Sequence, residues 1–215
     1  MTDSLGLSAE RLARIDTAMQ RLVDDGQVAG LVTLVARDGQ TVHCNAYGVL
    51  DTGSGRAMPC DALFRIASMT KPITAAAIML LWERGAFLLD DPVAAWIPEF
   101  SSVRVFPDQH LDQPVTIRHL LTHTSGLAYP TDVAPLTVGD LYAASDILDT
   151  NESLADKIAR LARLPLAHQP GAGWTYGMSI DVLGRLVEVV SGMTFDAFLR
   201  SNLFEPLGMV DTGFT

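Results

Sequence analysis

Lysine is almost missing from this chain: of its 15 basic residues only Lys71 and Lys157 are lysines. Basic residues as a whole are outnumbered by 25 acidic ones, giving a formal net charge of −10. That balance leaves no basic stripe to neutralise phosphates and excludes nucleic acid as an expected partner. Cysteine is equally scarce, and Cys44 and Cys60 match neither a disulfide framework nor a zinc spacing, so both read as free thiols. No segment approaches the roughly 20 apolar residues of a membrane-spanning helix. The opening "MTDSLGLSAERLARID" has neither a basic n-region nor an apolar h-region. No membrane partner is expected, and the reading is a soluble, cytoplasmic protein.

What is present is apolar: 48% of the 215 residues are hydrophobic, enough to bury a core in one large domain or two smaller ones. Leu12, Ile15, Met19, Leu22 and Val23 repeat at helical spacing, which predicts a helix from Ser8 to about Asp25 that Gly26 ends. The β-rich runs "GLVTLVAR" and "TVHCNAYG" flank Asp38-Gly39, a dipeptide suited to the positive φ angles of a tight hairpin. From Ala62 onward the pattern is helical, interrupted at Gly85, at "FPDQHLDQP" and at "YPTDVAPLTVGD". A helix and hairpin in front of a helical remainder predict an α+β fold. The expected division is a helix-and-hairpin region over 1–60 and a mainly helical region over 61–215. The acidic run "LLDDPVAAWIPEF" reads as a helix start capped by Asp90 or Asp91, followed by a buried Trp96.

One of the two lysines stands in a telling place. In "FRIASMTKPITAAAIMLL", Pro72 suits an early helical position, and Ile73, Ala76, Ala77, Leu80 and Leu81 form an apolar stripe behind it. Ser68 then lies at the helix N-terminus, and Lys71, three residues on, shares its face. A serine hydroxyl is a poor nucleophile until a neighbouring base or cation helps it lose its proton. The helix N-terminus also directs N–H groups at an oxyanion forming beside it. S-x-x-K alone is weak, because serine is a common helix cap.

A second element strengthens it. In "GAGWTYGMSIDVLGRLVEVVSG", Val182, Leu183, Leu186, Val187 and Val190 predict a helix capped near Ser179 and closed by Gly192. Tyr176 falls in the glycine-rich loop before it, where a tyrosine usually packs. With a lysine cation nearby to lower its pKa from about 10, it could shuttle protons. "GMSID" falls short of the G-x-S-x-G nucleophile elbow, and with no strand running into Ser179 this serine reads as a helix cap. His119 and His123 in "HLLTH" have i, i+4 spacing but lack the glutamate of H-E-x-x-H and a third ligand, so no metal is expected.

Taken together, "SMTK", "LLTHTSGL", "WTYGMSIDVLGRLVEVVSGM" and "EPLGMVDTGF" resemble the class C β-lactamase-like serine hydrolases, a superfamily that includes penicillin-binding proteins and the family VIII carboxylesterases. The similarity runs from about Leu12 to the last residue. It implies a β-lactamase/transpeptidase-like fold and no cofactor. It also implies Ser68 as the acylated nucleophile, Lys71 holding the proton balance, and Tyr176 as base for acylation and acid toward the leaving group. The class C β-lactamases place an asparagine where this chain has Met178, so the likeness tilts toward the carboxylesterases. Met178 then stands at a substrate-binding position, and Tyr129 in "SGLAYPT" resembles a pocket-lining tyrosine.

The function this implies is hydrolysis of small carboxylic esters, short-chain or aryl. The alternatives are β-lactamase or D-Ala-D-Ala peptidase-like activity, or a non-catalytic binding module on the same scaffold. Members of the superfamily usually run well past 350 residues. Their later part supplies most of the sheet, a K-T-G-type motif and a second oxyanion N–H, whose loss typically costs about 2.7–4 kcal/mol. The chain is therefore expected to be an N-terminal fragment with an incomplete sheet, inactive unless a C-terminal piece joins it. That piece, or a homo-oligomer mate, would be its macromolecular partner.

Overall fold

The computed structural model describes residues 5–130 and 136–214. It forms two compact units, Met1–Arg65 and Ile66–Thr215.

The first unit begins with α1, Ala9–Asp24, started by Ser8, whose Oγ accepts a hydrogen bond from the Arg11 N–H at 3.3 Å. Leu12, Ile15, Met19, Leu22 and Val23 make its half-buried face, as the spacing predicts. Strands β1 (Gly30–Arg37) and β2 (Gln40–Asp51) pair antiparallel, Arg37 opposite Gln40. Asp38 (φ 51°) and Gly39 (φ 73°) both take the left-handed conformation that a two-residue hairpin demands. A third strand, β3 (Arg56–Ala57), continues the sheet in the order β1-β2-β3. Its two residues are too few to leave a sequence pattern. The preceding turn is instead held by the Asp51 carboxylate, which accepts from the Gly53 N–H at 2.9 Å and the Ser54 hydroxyl at 2.7 Å.

The second unit is helical. Helix α2 (Thr70–Glu83) follows a 3₁₀ turn at Ala67–Met69. Its fully buried face is Thr74, Ala77, Ile78 and Leu81, so the stripe expected from sequence is rotated: Ile73, Ala76 and Leu80 are only half-buried. Thr74 could be buried because its hydroxyl donates to the Thr70 carbonyl at 3.1 Å. After Gly85 the run through "DDPVAAWIPEF" is not an α-helix but two 3₁₀ turns, Val93–Ala95 and Pro98–Ser101. Asp90 and Asp91 do not cap it. Asp91 accepts from the Leu88 N–H at 2.8 Å, and Asp90 takes the Arg118 guanidinium at 2.6 and 2.9 Å. Trp96 is half-buried, edge-on to Phe87 with ring centroids 5.8 Å apart.

Four further α-helices precede the last one: α3 (Ile117–Leu121), α4 (Leu136–Ala144), α5 (Leu154–Leu161) and α6 (Ser179–Ser191). The "YPTDVAPLTVGD" interruption lies partly outside the described residues. Helix α7 (Phe195–Leu199) runs on into a π turn at Arg200–Phe204. Val182, Leu183, Leu186 and Val187 of α6 are all 0% exposed, and α6 packs against α2, α3, α5 and α7. It is the hub of a hydrophobic core drawn wholly from residues 77–204. The architecture is α+β and β-lactamase-like, with an open three-stranded antiparallel sheet among the described residues. No helix among them is long and apolar enough to cross a membrane.

Candidate functional site

Ser68 occupies the 3₁₀ turn that leads into α2, with the positive end of the helix dipole behind it. The residue before it, Ala67, has φ 42°, a left-handed conformation that costs energy in any residue bearing a Cβ and that concentrates at functional sites. One turn further, the Lys71 ammonium donates to Ser68 Oγ at 3.0 Å. Tyr176, 108 positions away in sequence, brings its hydroxyl to 2.9 Å from the same oxygen. The Lys71 Nζ also lies 4.7 Å from the centre of the Tyr176 ring. The three residues singled out from two separate motifs therefore meet at one oxygen atom.

Tyr176 is placed by the loop that reads "LLTHTSGL". Gly177 lies so close to that loop that a Cβ on it would stand 2.2 Å from the Leu127 carbonyl oxygen and 2.8 Å from the Ala128 carbonyl carbon. Only glycine allows this approach. The Thr175 N–H donates to the His123 carbonyl at 2.9 Å, and the Ser125 and Ser179 hydroxyls bond at 2.8 Å. Ser179 is thus the first residue of α6, fully buried, and not its cap; that position belongs to Met178, whose side chain provides no cap bond.

The remaining candidates separate. Tyr129 lies against Tyr176, ring centroids 5.5 Å apart, and lines a cavity of about 460 Å³ together with Ser68, Lys71, Thr74, Asp181 and Phe195. Met178 is 2% exposed in the core and is not among the residues lining that cavity. Met178 belongs instead to the hydrophobic core around α6.

Two residues at the site escaped the sequence reading of it. His123, expected to pack and not to hold a metal, sets its ring 5.1 Å from that of Tyr176 and 6.1 Å from that of Trp174. Its backbone φ is +56°, and its buried Nδ1 has no hydrogen-bond partner among the described residues. Burial, then the charge of Lys71, holds its pKa below the ordinary imidazole value, so it stands neutral beside the tyrosine. His119 points elsewhere, its Nδ1 accepting from the Thr116 N–H at 3.2 Å in the capping box of α3. The i, i+4 pair therefore does not converge, and no group of residues able to hold a metal occurs among those described. Asp181, in the first turn of α6, is the cavity's carboxyl group. Burial pushes its pKa up, opposed by the charges of Lys157 and Lys71. The sequence signal for both was only their presence within two short motifs.

A serine hydroxyl, a cation and a phenol at hydrogen-bond distance beside an open cavity suit attack on a carbonyl. Several known proteins resemble this chain. Esterase EstB of Burkholderia gladioli is 40% identical over 208 residues, which are 96% of this chain and 52% of that protein. Lovastatin esterase of Penicillium rubens is 33% identical, covering 93% of this chain and 52% of that one. Among solved structures, EstCE1, described as a hydrolase with promiscuous acyltransferase activity, superposes with a TM-score of 0.82 at 30% identity, covering 92% of this chain and 51% of its own. The chain thus spans about half the length of the curated relatives it matches. The sequence profile of the beta-lactamase family matches residues 15–215, and the chain belongs to that family.

Proposed function

We propose that this chain carries the nucleophilic centre of a serine hydrolase acting on carboxylic esters, short-chain or aryl, through an acyl-enzyme on Ser68. The observation that carries the reading is the convergence of Lys71 Nζ (3.0 Å) and Tyr176 Oη (2.9 Å) on Ser68 Oγ. Ser68 Oγ attacks the ester carbonyl while its proton passes to Tyr176, whose oxygen already touches it. Tyr176 takes the proton as a phenolate, whose negative charge the Lys71 cation beside it offsets. Collapse of the tetrahedral intermediate breaks the C–O bond, and Tyr176 returns the proton to the departing alkoxide. Water, activated by the same tyrosine, then releases the acid.

The relatives named as esterases, and a solved relative described as a hydrolase with acyltransferase activity, support ester chemistry over β-lactam hydrolysis. So does Met178, which offers no side-chain amide at the position after Gly177. Tyr129 is assigned to substrate contact, since it lines the cavity beside Ser68.

The test is intact-mass spectrometry after incubation with a fluorophosphonate. One adduct per chain, absent in Ser68→Ala, is expected. An adduct that survives Ser68→Ala, or a chain that stays unmodified at every probe concentration, would sink the reading of Ser68 as an activated nucleophile within these residues.

A further inference from the structure

Away from the cavity, and within the first unit, the chain's two thiols lie together. Val49 pairs with Ala57, and the Met58 N–H reaches the Gly48 carbonyl at 3.0 Å, so the chain after β3 keeps running antiparallel to β2. Cys60 lies in the turn that follows this segment, and Cys44 lies on β2. The side chains complete the approach. The Cys60 thiol donates to the Cys44 carbonyl oxygen at 3.7 Å. Cys60 is exposed and Cys44 half-buried, so a reagent meets Cys60 first. Expected from sequence as two free thiols, the pair is brought side by side across fifteen intervening residues.

We propose that Cys44 and Cys60 are a disulfide-forming site that reacts with low-molecular-weight disulfides by thiol–disulfide exchange. The Cys60 thiolate attacks one sulfur of glutathione disulfide, forming a mixed disulfide and expelling one glutathione thiolate. The Cys44 thiolate then attacks Cys60 Sγ, the new S–S bond forms, and the second glutathione leaves. Two protein thiols are oxidised and one glutathione disulfide is reduced to two glutathiones. The Cys44 sulfur, chiefly, with burial and the nearby Asp61 charge, holds the Cys60 thiol above its ordinary pKa, so the first step is slow near neutrality and quickens as pH rises. The bond would close the loop that carries the Asp51 turn and β3, tying the sheet's shortest strand to β2.

The experiment is exchange of the whole chain with glutathione disulfide at mildly alkaline pH, followed by acid quench, intact mass and peptide mapping. The expected product is a monomer lighter by two hydrogens, with Cys44 and Cys60 peptides linked, reversible by reductant. It should form with a preference at least about tenfold greater than in the denatured chain under the same glutathione ratio. Cys44→Ser should instead stop at a stable glutathione adduct on Cys60. Glutathione retained on Cys60 of the unaltered chain, a Cys60-linked dimer, no reaction at either thiol, or no advantage over the denatured chain would each overturn the proposal.

Discussion

The two compact units are built by different physics. In residues 66–215 a continuous apolar core surrounds α6, with residue after residue at 0% exposure. Among the described residues of 1–65 only Tyr47 and His43 fall below a tenth exposed, and Leu34 on β1 is 61% exposed. What organises the first unit is polar. The Asp16 carboxylate on α1 accepts from Tyr47 at 2.5 Å and Asn45 at 2.6 Å on β2, and Thr33 of β1 bonds His43 of β2 at 2.7 Å. Hydrogen bonds of this kind fix register and orientation but contribute little net free energy, whereas burial of large apolar side chains contributes most of it. The Ser68, Lys71 and Tyr176 constellation sits on the unit with the packed apolar core, the kind of support that holds a site's geometry.

The largest expected break is at Gly177. Gly177→Ala forces a Cβ into the Leu127 carbonyl and must displace Tyr176, so fluorophosphonate labelling of Ser68 should fall by about 10²-fold with the helical circular dichroism retained. Unchanged labelling would mean that the tyrosine is not held from this loop. Next comes the core itself: Leu183→Ala should cost about 2–5 kcal/mol in denaturant unfolding. Leu34→Ala, in the other unit, should stay within about 0.5 kcal/mol. Similar costs for the two would erase the contrast.

The carboxylates sharpen it through their signs. Asp16 is held below the ordinary carboxylate pKa by its bonds to Tyr47 and then Asn45, so the folded state favours its charged form. That stability is present above the unfolded pKa and is lost as pH falls through the lowered one. Asp181 is the reverse: burial raises its pKa, the folded state binds the proton more tightly, and stability falls as pH rises through that raised value. Near pH 7, Asp16→Asn should lower the melting temperature and Asp181→Asn should raise it, and both effects should shrink in acid. Equal signs near neutrality would contradict the assignment. Tyr47→Phe, which removes the hydroxyl bonded to Asp16 and Thr33, should cost about 1 kcal/mol by urea unfolding.

Much of this was legible from local pattern. Ser8, Asp38-Gly39 and Gly192 marked a helix start, a hairpin and a helix end because caps and turns are decided by residues a few positions apart. The apolar face of α6 was read correctly for the same reason. The face of α2 was read one step off, because a helix apolar nearly all round does not say which side will meet the core. The 3₁₀ turns after Gly85 were read as a helix, since Asp90 found Arg118 in place of a backbone cap.

At the site, the sequence by itself determined that a serine and a lysine three apart share one helical entrance, and that a tyrosine stands in a loop ahead of a second helix. Only the tertiary structure decided that this tyrosine reaches the serine, that His123 stacks on it, that Asp181 enters the cavity and that Met178 does not. The physical reason is the same in each case. Spacing along the chain fixes which side chains share a face, but contacts across a hundred residues depend on how closely two backbones can approach. Here that distance is set by the bare Cα of Gly177 against Leu127 and Ala128.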